Sequence, residues 1–571
     1  MSHPDSSACL LIDGNLVGAI SEERLGKRIK HTNSFPIESI KYLMKTNGVR
    51  LKDINYIATG SNPTSNIFKK ISLTLKNFNQ SKYLISNFIK KNKDNLNLLH
   101  HWLGVSDTES KFKIHKVEHH LSHICSSYYC SDFDGMSAGM SFDGSGDNVS
   151  LMMAKCEGNK IKILDRIYFP NSLGHFYTSL CQFIGFDRYG EEYKVMGLAP
   201  YGEPKFLDEL RKIIYIDKEK FSLDKSYFKV AEGFKNQMED VNQSGEFYSS
   251  KLNDLLGNSR RRSDPVTNRE KDISKSIQTL FEEISLNVLK KFNDRLPITN
   301  LNLSGGCALN GVLNAKILDK LPVKKMFIHP AASDDGTAVG AAFHCWHNRL
   351  KNKKRFYLNH SYLGSKYSRN EIKKYLDQEN LIYSEFDINI VLKRIALLLY
   401  EGKVIGWFQG RSEWGPRALG NRSILASPLI KDMKKIINLK IKKRESFRPF
   451  APSVLQEDVN KYFTQNILSP FMMHVVKFKD QWKNSFPAVT HVDSSARLQT
   501  VSEESNSLFY KLISEFKRLS NHGILLNTSF NENEPIVENP KNAIDCFKRT
   551  DLDILVIGNF IISKKKDFDL I

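Results

Sequence analysis

Four side chains of metal-holding types stand out by their neighbours and spacing. The segment Val117-Glu-His-His-Leu-Ser-His123 sets His119 and His123 four residues apart, so on a helix both imidazoles leave one face and can meet one ion, while His120 points elsewhere. Asp143, beside Gly144, and Asp334, in Ala332-Ser-Asp-Asp-Gly336, can bring carboxylates to the same place, because glycine lets backbones approach closely. Two imidazoles and two carboxylates suit one divalent transition metal, and the mixed nitrogen and oxygen set leaves iron, manganese and zinc open.

Two further groups have the character of anion sites. Ser304-Gly-Gly-Cys-Ala-Leu-Asn310 follows an apolar run and is predicted to open a helix, so backbone N–H groups at Ser304, Gly305 and Gly306, with Asn310 behind them, can face a phosphate or sugar. With Asp334-Asp-Gly336 downstream, this pattern resembles actin-like and sugar-kinase-like folds, which hold nucleotides between duplicated halves. Gly410-Arg-Ser-Glu-Trp-Gly-Pro-Arg-Ala-Leu-Gly-Asn-Arg422 and Ile441-Lys-Lys-Arg-Glu-Ser-Phe-Arg-Pro-Phe-Ala-Pro452 concentrate Arg417, Arg422, Lys442, Arg444 and Arg448 among aromatic residues and prolines. Guanidinium groups clamp phosphates through paired hydrogen bonds, and rigid prolines argue for a shaped pocket over a solvated face. Arg497, in His491-Val-Asp-Ser-Ser-Ala-Arg-Leu-Gln499, and Ser529, in Leu526-Asn-Thr-Ser-Phe-Asn531, are suited to orienting a small planar ligand.

These residues must be carried on elements that the sequence also marks. Ala8 to Ile20 reads as a hairpin turning at Asp13-Gly14, a helix follows over Ile37 to Thr46, and a related hairpin runs through Gly139 to Cys156. The repetition predicts a duplicated sheet unit. Residues 65–112 are polar, rich in Lys and Asn, and read as a helical insertion. A helix is predicted over Asp272 to Phe292, a strand at Leu301 to Leu303 and a small-residue helix at Ala338 to Phe343. The charged run 347–356 marks the domain boundary, giving domains of 1–350 and 351–571. Beyond it come a helix near Arg369 to Leu381, a strand at Val404 to Phe408, and terminal strands at Gly523 to Leu526 and Ile554 to Ile562.

Length and composition are those of a globular protein of more than one domain. A chain of 571 residues exceeds a single core, and 41% hydrophobic with 26% charged residues is globular. The net charge of +20 is spread as scattered Lys without a basic stripe of stacking aromatics, so nucleic acid is an unlikely partner. Eight cysteines form no CxxC pair, as for reduced thiols in a cytoplasmic protein, and no apolar stretch is long enough for export or a membrane span.

Together the segments resemble the O-carbamoyltransferases that decorate nodulation factors and antibiotics. The likeness rests on His3 with Asp5-Ser-Ser-Ala8, Glu22-Glu-Arg24, His119-His-Leu-Ser-His123, Asp143-Gly144, Tyr193-Lys-Val-Met-Gly-Leu-Ala-Pro-Tyr-Gly202, Ser304-Gly-Gly306, Gly415-Pro-Arg-Ala-Leu-Gly-Asn-Arg422 and Arg444-Glu-Ser-Phe-Arg-Pro-Phe-Ala-Pro452. The resemblance implies an α/β protein with a duplicated actin-like N-terminal domain and a YrdC-like C-terminal domain. It implies that carbamoyl phosphate and ATP give carbamoyl adenylate, whose carbamoyl group passes to a hydroxyl of a sugar or secondary metabolite. Lys442 and Arg448 would hold the phosphates, with Arg417, Arg422, Arg444, Arg497 and Ser529 beside them; Lys194, Ser304, Gly305, Gly306 and Asn310 would serve the nucleotide side. His119, His123, Asp143 and Asp334 would hold the metal, and His3 would deprotonate the acceptor. The family carries a complete strand before that histidine, whereas two residues precede His3 here. A tRNA-modifying threonylcarbamoyl-type protein and an actin-like sugar kinase are the competing functions.

Overall fold

The computed structural model describes residues 4–76, 112–217, 220–229, 245–379 and 381–564. His3 and residues 77–111 of the expected insertion lie outside them. Two compact units form, one of residues 1–26 and 31–358, the other of 27–30 and 359–571. Among the described residues no helix is long and apolar enough to cross a membrane.

The first unit is built on a five-stranded sheet in the order Lys325–Ile328, Asn300–Ser304, Ser137–Gly146, Val149–Glu157, Lys160–Tyr168. The last three strands form an antiparallel meander, and the first two run parallel to Ser137–Gly146. The meander turns at Asp147 and Asn148, at φ of 48° and 69°, the left-handed pair that a two-residue hairpin needs. Asp13 and Gly14, at 48° and 78°, make the same turn between Ser7–Ile12 and Asn15–Ser21. This first hairpin and the pair Tyr56–Thr59 with Lys113–Lys116 stand as separate two-stranded sheets. The helix Asn268–Arg295, closed by a Thr267–Glu270 capping box, buries Ile273, Ile277, Phe281, Ile284 and Val288 at helical spacing, and leads into the parallel strand Asn300–Ser304. The helix at Ile37–Thr46 lies where the sequence puts it.

The second unit holds a nine-stranded sheet. Its order is Tyr383–Glu385, Phe560–Ser563, Ile554–Ile557, Ile405–Phe408, Arg422–Ala426, Ile524–Ser529, Ala451–Leu455, Ser495–Val501, His474–Lys477. The apolar run expected as one terminal strand, Ile554 to Ile562, is a hairpin instead, because Gly558 takes φ of 58° and reverses the chain. Helices Ile388–Tyr400 and Ser507–Ser520 cover one face, with Val391, Ile395, Trp407, Leu455, Val501, Phe509 and Leu525 in the core. Side chains alternate along a strand, so Leu455 shares its face with Ser453, Val501 with Gln499 and Arg497, and Leu525 with Asn527 and Ser529. That face therefore grades from apolar under the helices to amide and then to basic.

Candidate metal centre and anion pocket

In the first unit, His119 and His123 stand on the helix His119–Tyr128, of whose ten residues nine are buried. Asp147, in the meander turn, accepts the His119 backbone N–H at 2.9 Å and the Asn62 N–H at 2.7 Å, which fixes the start of that helix. The two Nε2 atoms are 3.1 Å apart. His123 Nε2 lies 3.1 Å from Asp143 Oδ2 and 3.4 Å from Asp334 Oδ1, and His119 Nε2 lies 3.3 Å from Asp334 Oδ1. All four donors fall within 4.8 Å of one another. His120 is turned away, its ring bound to Ser141 Oγ at 2.8 Å and to the Val149 carbonyl at 2.9 Å. Burial alone would lower the His123 pKa, but Asp143 and Asp334 overcome it and hold the ring up to about 9. The cluster thus attracts positive charge, and its donor chemistry fits a divalent transition ion.

The glycines beside it are spatial requirements. Gly305, at φ of 88°, would put a Cβ 2.2 Å from the Phe142 carbonyl oxygen, and a Cβ on Gly306 would lie 3.0 Å from Asp143 Oδ1. Ser304 is buried, with its hydroxyl 3.4 Å from the Met140 carbonyl. Nearby, the His31 ring meets Asp5 Oδ1 at 2.7 Å, and Ser333 donates to Asp5 Oδ2 at 3.3 Å. Nothing in the sequence marks His31, which lies far from every metal donor along the chain.

Several expected ligand contacts are otherwise engaged. The Gly turn leads into a short 3-10 turn at Gly306–Leu309, and the helix starts only at Gly311, so its N-terminus lies past Ser304, Gly305 and Gly306. Asn310 caps that helix, accepting the Leu313 N–H at 3.1 Å, and its amide exchanges two hydrogen bonds with Gln278. Lys194 is buried, 2.8 Å from Glu191 Oε1 and 5.2 Å from the centre of the Phe186 ring.

In the second unit, Arg417, Arg444 and Arg448 lie close enough to Arg497 that burial and then their charges push its pKa well below the arginine norm. Arg444 is held by Asn438 Oδ1 at 2.7 Å and lies over the Phe450 ring, and Arg448 is 3.6 Å from Glu445. Burial and then the Arg444 charge also lower Lys434. Four mutually repelling guanidiniums are stable together when an anion sits among them. Lys442 is buried next to this group, donating to the Ser529 carbonyl, to Ser529 Oγ at 3.2 Å, and to the Asn531 carbonyl and Oδ1 at 2.8 and 2.7 Å. Burial and the Arg444 charge push its pKa well down.

Arg422 belongs elsewhere. Its guanidinium is fully buried 3.6 Å from the Phe408 ring centre and donates to the carbonyls of Gln409, Asn421 and Ser365 at 2.6, 3.0 and 3.0 Å. It braces the Arg417 loop from behind and does not join the arginine cluster. Glu413 was also missed: one carboxylate oxygen accepts the backbone N–H groups of Leu419, Asn421 and Arg422 at 2.8, 2.8 and 3.1 Å. An acidic residue inside a basic motif is the signal that could have found it.

The α/β fold, with a two-histidine, two-aspartate cluster in one unit and interacting arginines in the other, is that of a transferase. The chain belongs to the carbamoyltransferase family: the profile for the carbamoyltransferase N-terminus matches residues 1–343 and that for the C-terminus residues 396–564. The nodulation protein NolNO of Sinorhizobium fredii is 36% identical over 98% of this chain and 79% of its own length. An uncharacterised protein of Synechocystis is 37% identical over 98% of this chain and 95% of its own. The 3'-hydroxymethylcephem-O-carbamoyltransferase of Streptomyces clavuligerus is 33% identical over 41% of this chain and 43% of its own. Among solved structures, HypF of T. kodakarensis aligns over 60% of this chain and 47% of its own at 15% identity, with a TM-score of 0.26.

Proposed function

We propose that the protein is an ATP-dependent O-carbamoyltransferase acting in the cytoplasm. The second unit, read as YrdC-like, binds carbamoyl phosphate and ATP: water cleaves carbamoyl phosphate to carbamate and phosphate, and a carbamate oxygen then attacks the α-phosphorus of ATP, giving carbamoyl adenylate as pyrophosphate leaves. The first unit, read as a duplicated actin-like domain, transfers the carbamoyl group to an acceptor hydroxyl, and AMP leaves. The observation that carries this reading is the match of both carbamoyltransferase profiles, and the charges of Arg417, Arg444 and Arg448 acting on the buried Arg497 support a phosphate site in the second unit. Their cost in mutual repulsion is offset by phosphate oxygens, and it is these oxygens whose charge changes as the donor cleaves. Lys442 is tethered at the pocket edge by Ser529 and Asn531, which fixes its nitrogen.

In the first unit, His119, His123, Asp143 and Asp334 would hold a divalent iron, manganese or zinc ion, which when bound supplies electrostatic stabilisation for the adenylate phosphate. Asp147 and Gly306 keep those side chains in register. His3 is proposed as the base that takes the acceptor proton. The similar 3'-hydroxymethylcephem-O-carbamoyltransferase supports a secondary-metabolite hydroxyl as acceptor, and the resemblance to enzymes that decorate nodulation factors supports a sugar hydroxyl.

Incubation with carbamoyl phosphate and ATP should release pyrophosphate and form carbamoyl adenylate, and Arg497→Met and Arg448→Ala should each lower the rate by about 100-fold or more while melting stays near that of the unmodified protein. No adenylate from folded, metal-supplied protein would refute the reading. Label transferred to tRNA in place of sugars would favour the threonylcarbamoyl-type alternative, and ATP consumption without carbamoyl phosphate the kinase.

A further inference from the structure

Behind the Arg417 loop the central sheet carries two buried amides, more polar groups than packing requires. Gln499 and Asn527 lie on neighbouring parts of the central sheet, with 2% and 1% of their surfaces exposed. Gln499 Nε2 donates to the Leu419 carbonyl at 2.9 Å, and Asn527 Nδ2 reaches the Ala418 carbonyl at 3.2 Å. They are joined to each other and to Ser453: Asn527 Nδ2 is 3.0 Å from Gln499 Oε1 and 3.0 Å from Ser453 Oγ, and Ser453 Oγ donates to Gln499 Oε1 at 2.5 Å. The two carbonyls they hold follow directly after Arg417. Next along the same strand faces come Arg497, two residues before Gln499, and Ser529, two residues after Asn527, which is the tether of Lys442.

An apolar pair would fill this space as well as two amides, and the neighbouring positions Leu455, Val501 and Leu525 show that the same face accepts aliphatic side chains. Asn527 Oδ1 is buried with no hydrogen-bond partner, a cost that packing alone would not retain. The backbone N–H groups of the same loop are already held by Glu413. With its carbonyls held from below and its N–H groups from the side, the loop has one conformation available to it.

We propose that Gln499 and Asn527 are positioning residues that set the direction of Arg417 over the anion pocket, and so govern affinity for the phosphate of the carbamoyl donor. The amide floor works through Arg417 and touches no substrate. This inference rests on the proposed function for the identity of the anion, and not for the existence of the floor.

A double-mutant cycle on the full chain tests it. Gln499→Met keeps the length of the side chain and removes both amide functions; Gln499→Glu keeps the shape and the acceptor, removes the donor to Leu419 and adds a carboxyl group, any charge effect of which would persist in the Arg417→Ala background and so be told apart from positioning. Each should raise the KM for carbamoyl phosphate about tenfold or more with kcat changed less than about threefold, while in an Arg417→Ala background the same change should have no further effect. Asn527→Leu should behave likewise. Should Gln499→Met fail to fold, Gln499→Glu decides. Effects that multiply in the double variant, or a KM unmoved in a folded variant, would overturn the positioning role. If the unmodified protein makes no adenylate, the functional reading fails by itself, and the floor is then judged by calorimetric titration with inorganic pyrophosphate: weakened binding in Gln499→Met but not further in the double variant supports it, and unchanged binding overturns it.

Discussion

Glu191 shows how one side chain can serve structure at a position where its neighbour, Lys194, was expected to serve a nucleotide. Burial raises a carboxyl pKa, yet Arg262 and Lys194 bind Glu191 closely enough to hold it at about 2. Its folded pKa is therefore below its ordinary value of 4.5, so its contribution is complete above that value and is lost as pH falls towards 2. After discounting for partial exposure this amounts to about 2 kcal/mol. Glu191→Gln should lower the denaturant-unfolding free energy by that amount at pH 7, and the gap to the unmodified protein should begin to close below about pH 4.5. A gap that stays constant down to pH 3.5 would exclude this origin. The basic motif has the same ambiguity. Arg417 and Arg422 stand five residues apart in one motif, and the sequence treats them alike; Arg417 lies in the loop, whereas Arg422 opens the strand Arg422–Ala426 and is buried against Phe408 and three backbone carbonyls. The histidine pair was legible because its donors share a helix face, whereas Gln499 and Asn527 carry no charge and repeat no motif.

At the scale of elements, turn chemistry was the most readable feature. Asp13-Gly14 places the first hairpin because few residues accept left-handed φ at both turn positions; the second, expected through Gly139 to Cys156, turns at Asp147-Asn148. Longer apolar runs were not readable in the same way: nothing in the pattern of Ile554 to Ile562 other than Gly558 separates one buried strand from two paired ones. The start of the helix at Gly311 was also obscured, since a 3-10 turn takes up the residues after the Gly pair. The helix Leu173–Phe183 joins secondary structure to the metal centre. Ser172 Oγ caps it by accepting the His175 N–H at 3.1 Å and also donates to the Asp143 carbonyl at 3.0 Å. One turn further in, a Cβ on Gly174 would lie 2.6 Å from the Gly144 nitrogen and 2.7 Å from the Asp143 carbonyl carbon, both backbone atoms. Ser172→Ala should cost about 1 kcal/mol as a lost cap. Gly174→Ala should cost about 2 kcal/mol or more and also lower metal stoichiometry after reconstitution, because the strand carrying Asp143 must shift. Full metal occupancy in Gly174→Ala would show that this contact does not position the aspartate.

For the whole molecule, the division into two units puts the chemistry in two places. The described donors of the metal cluster all belong to residues 31–358, and the four arginines to residues 359–571. The net charge of +20 is not gathered at either site, and many lysines and arginines are taken up in surface ion pairs such as Lys548 with Glu379 or Arg369 with Glu385, which contribute little each. Local crowding, not overall charge, makes the pocket. Activation and transfer should then separate under mutation. His123→Ala removes an imidazole from the first unit and leaves the arginines untouched, so it should keep carbamoyl-phosphate-dependent pyrophosphate release within about threefold of the unmodified rate. The same variant should lose about 100-fold or more in label transfer from carbamoyl phosphate to a sugar-rich acceptor extract. Arg497→Met should lose both, because in the proposed scheme transfer needs the adenylate formed in the second unit. Loss of pyrophosphate release in a folded His123→Ala protein would mean that the first unit takes part in activation, and the assignment of one half-reaction to each unit would have to be abandoned.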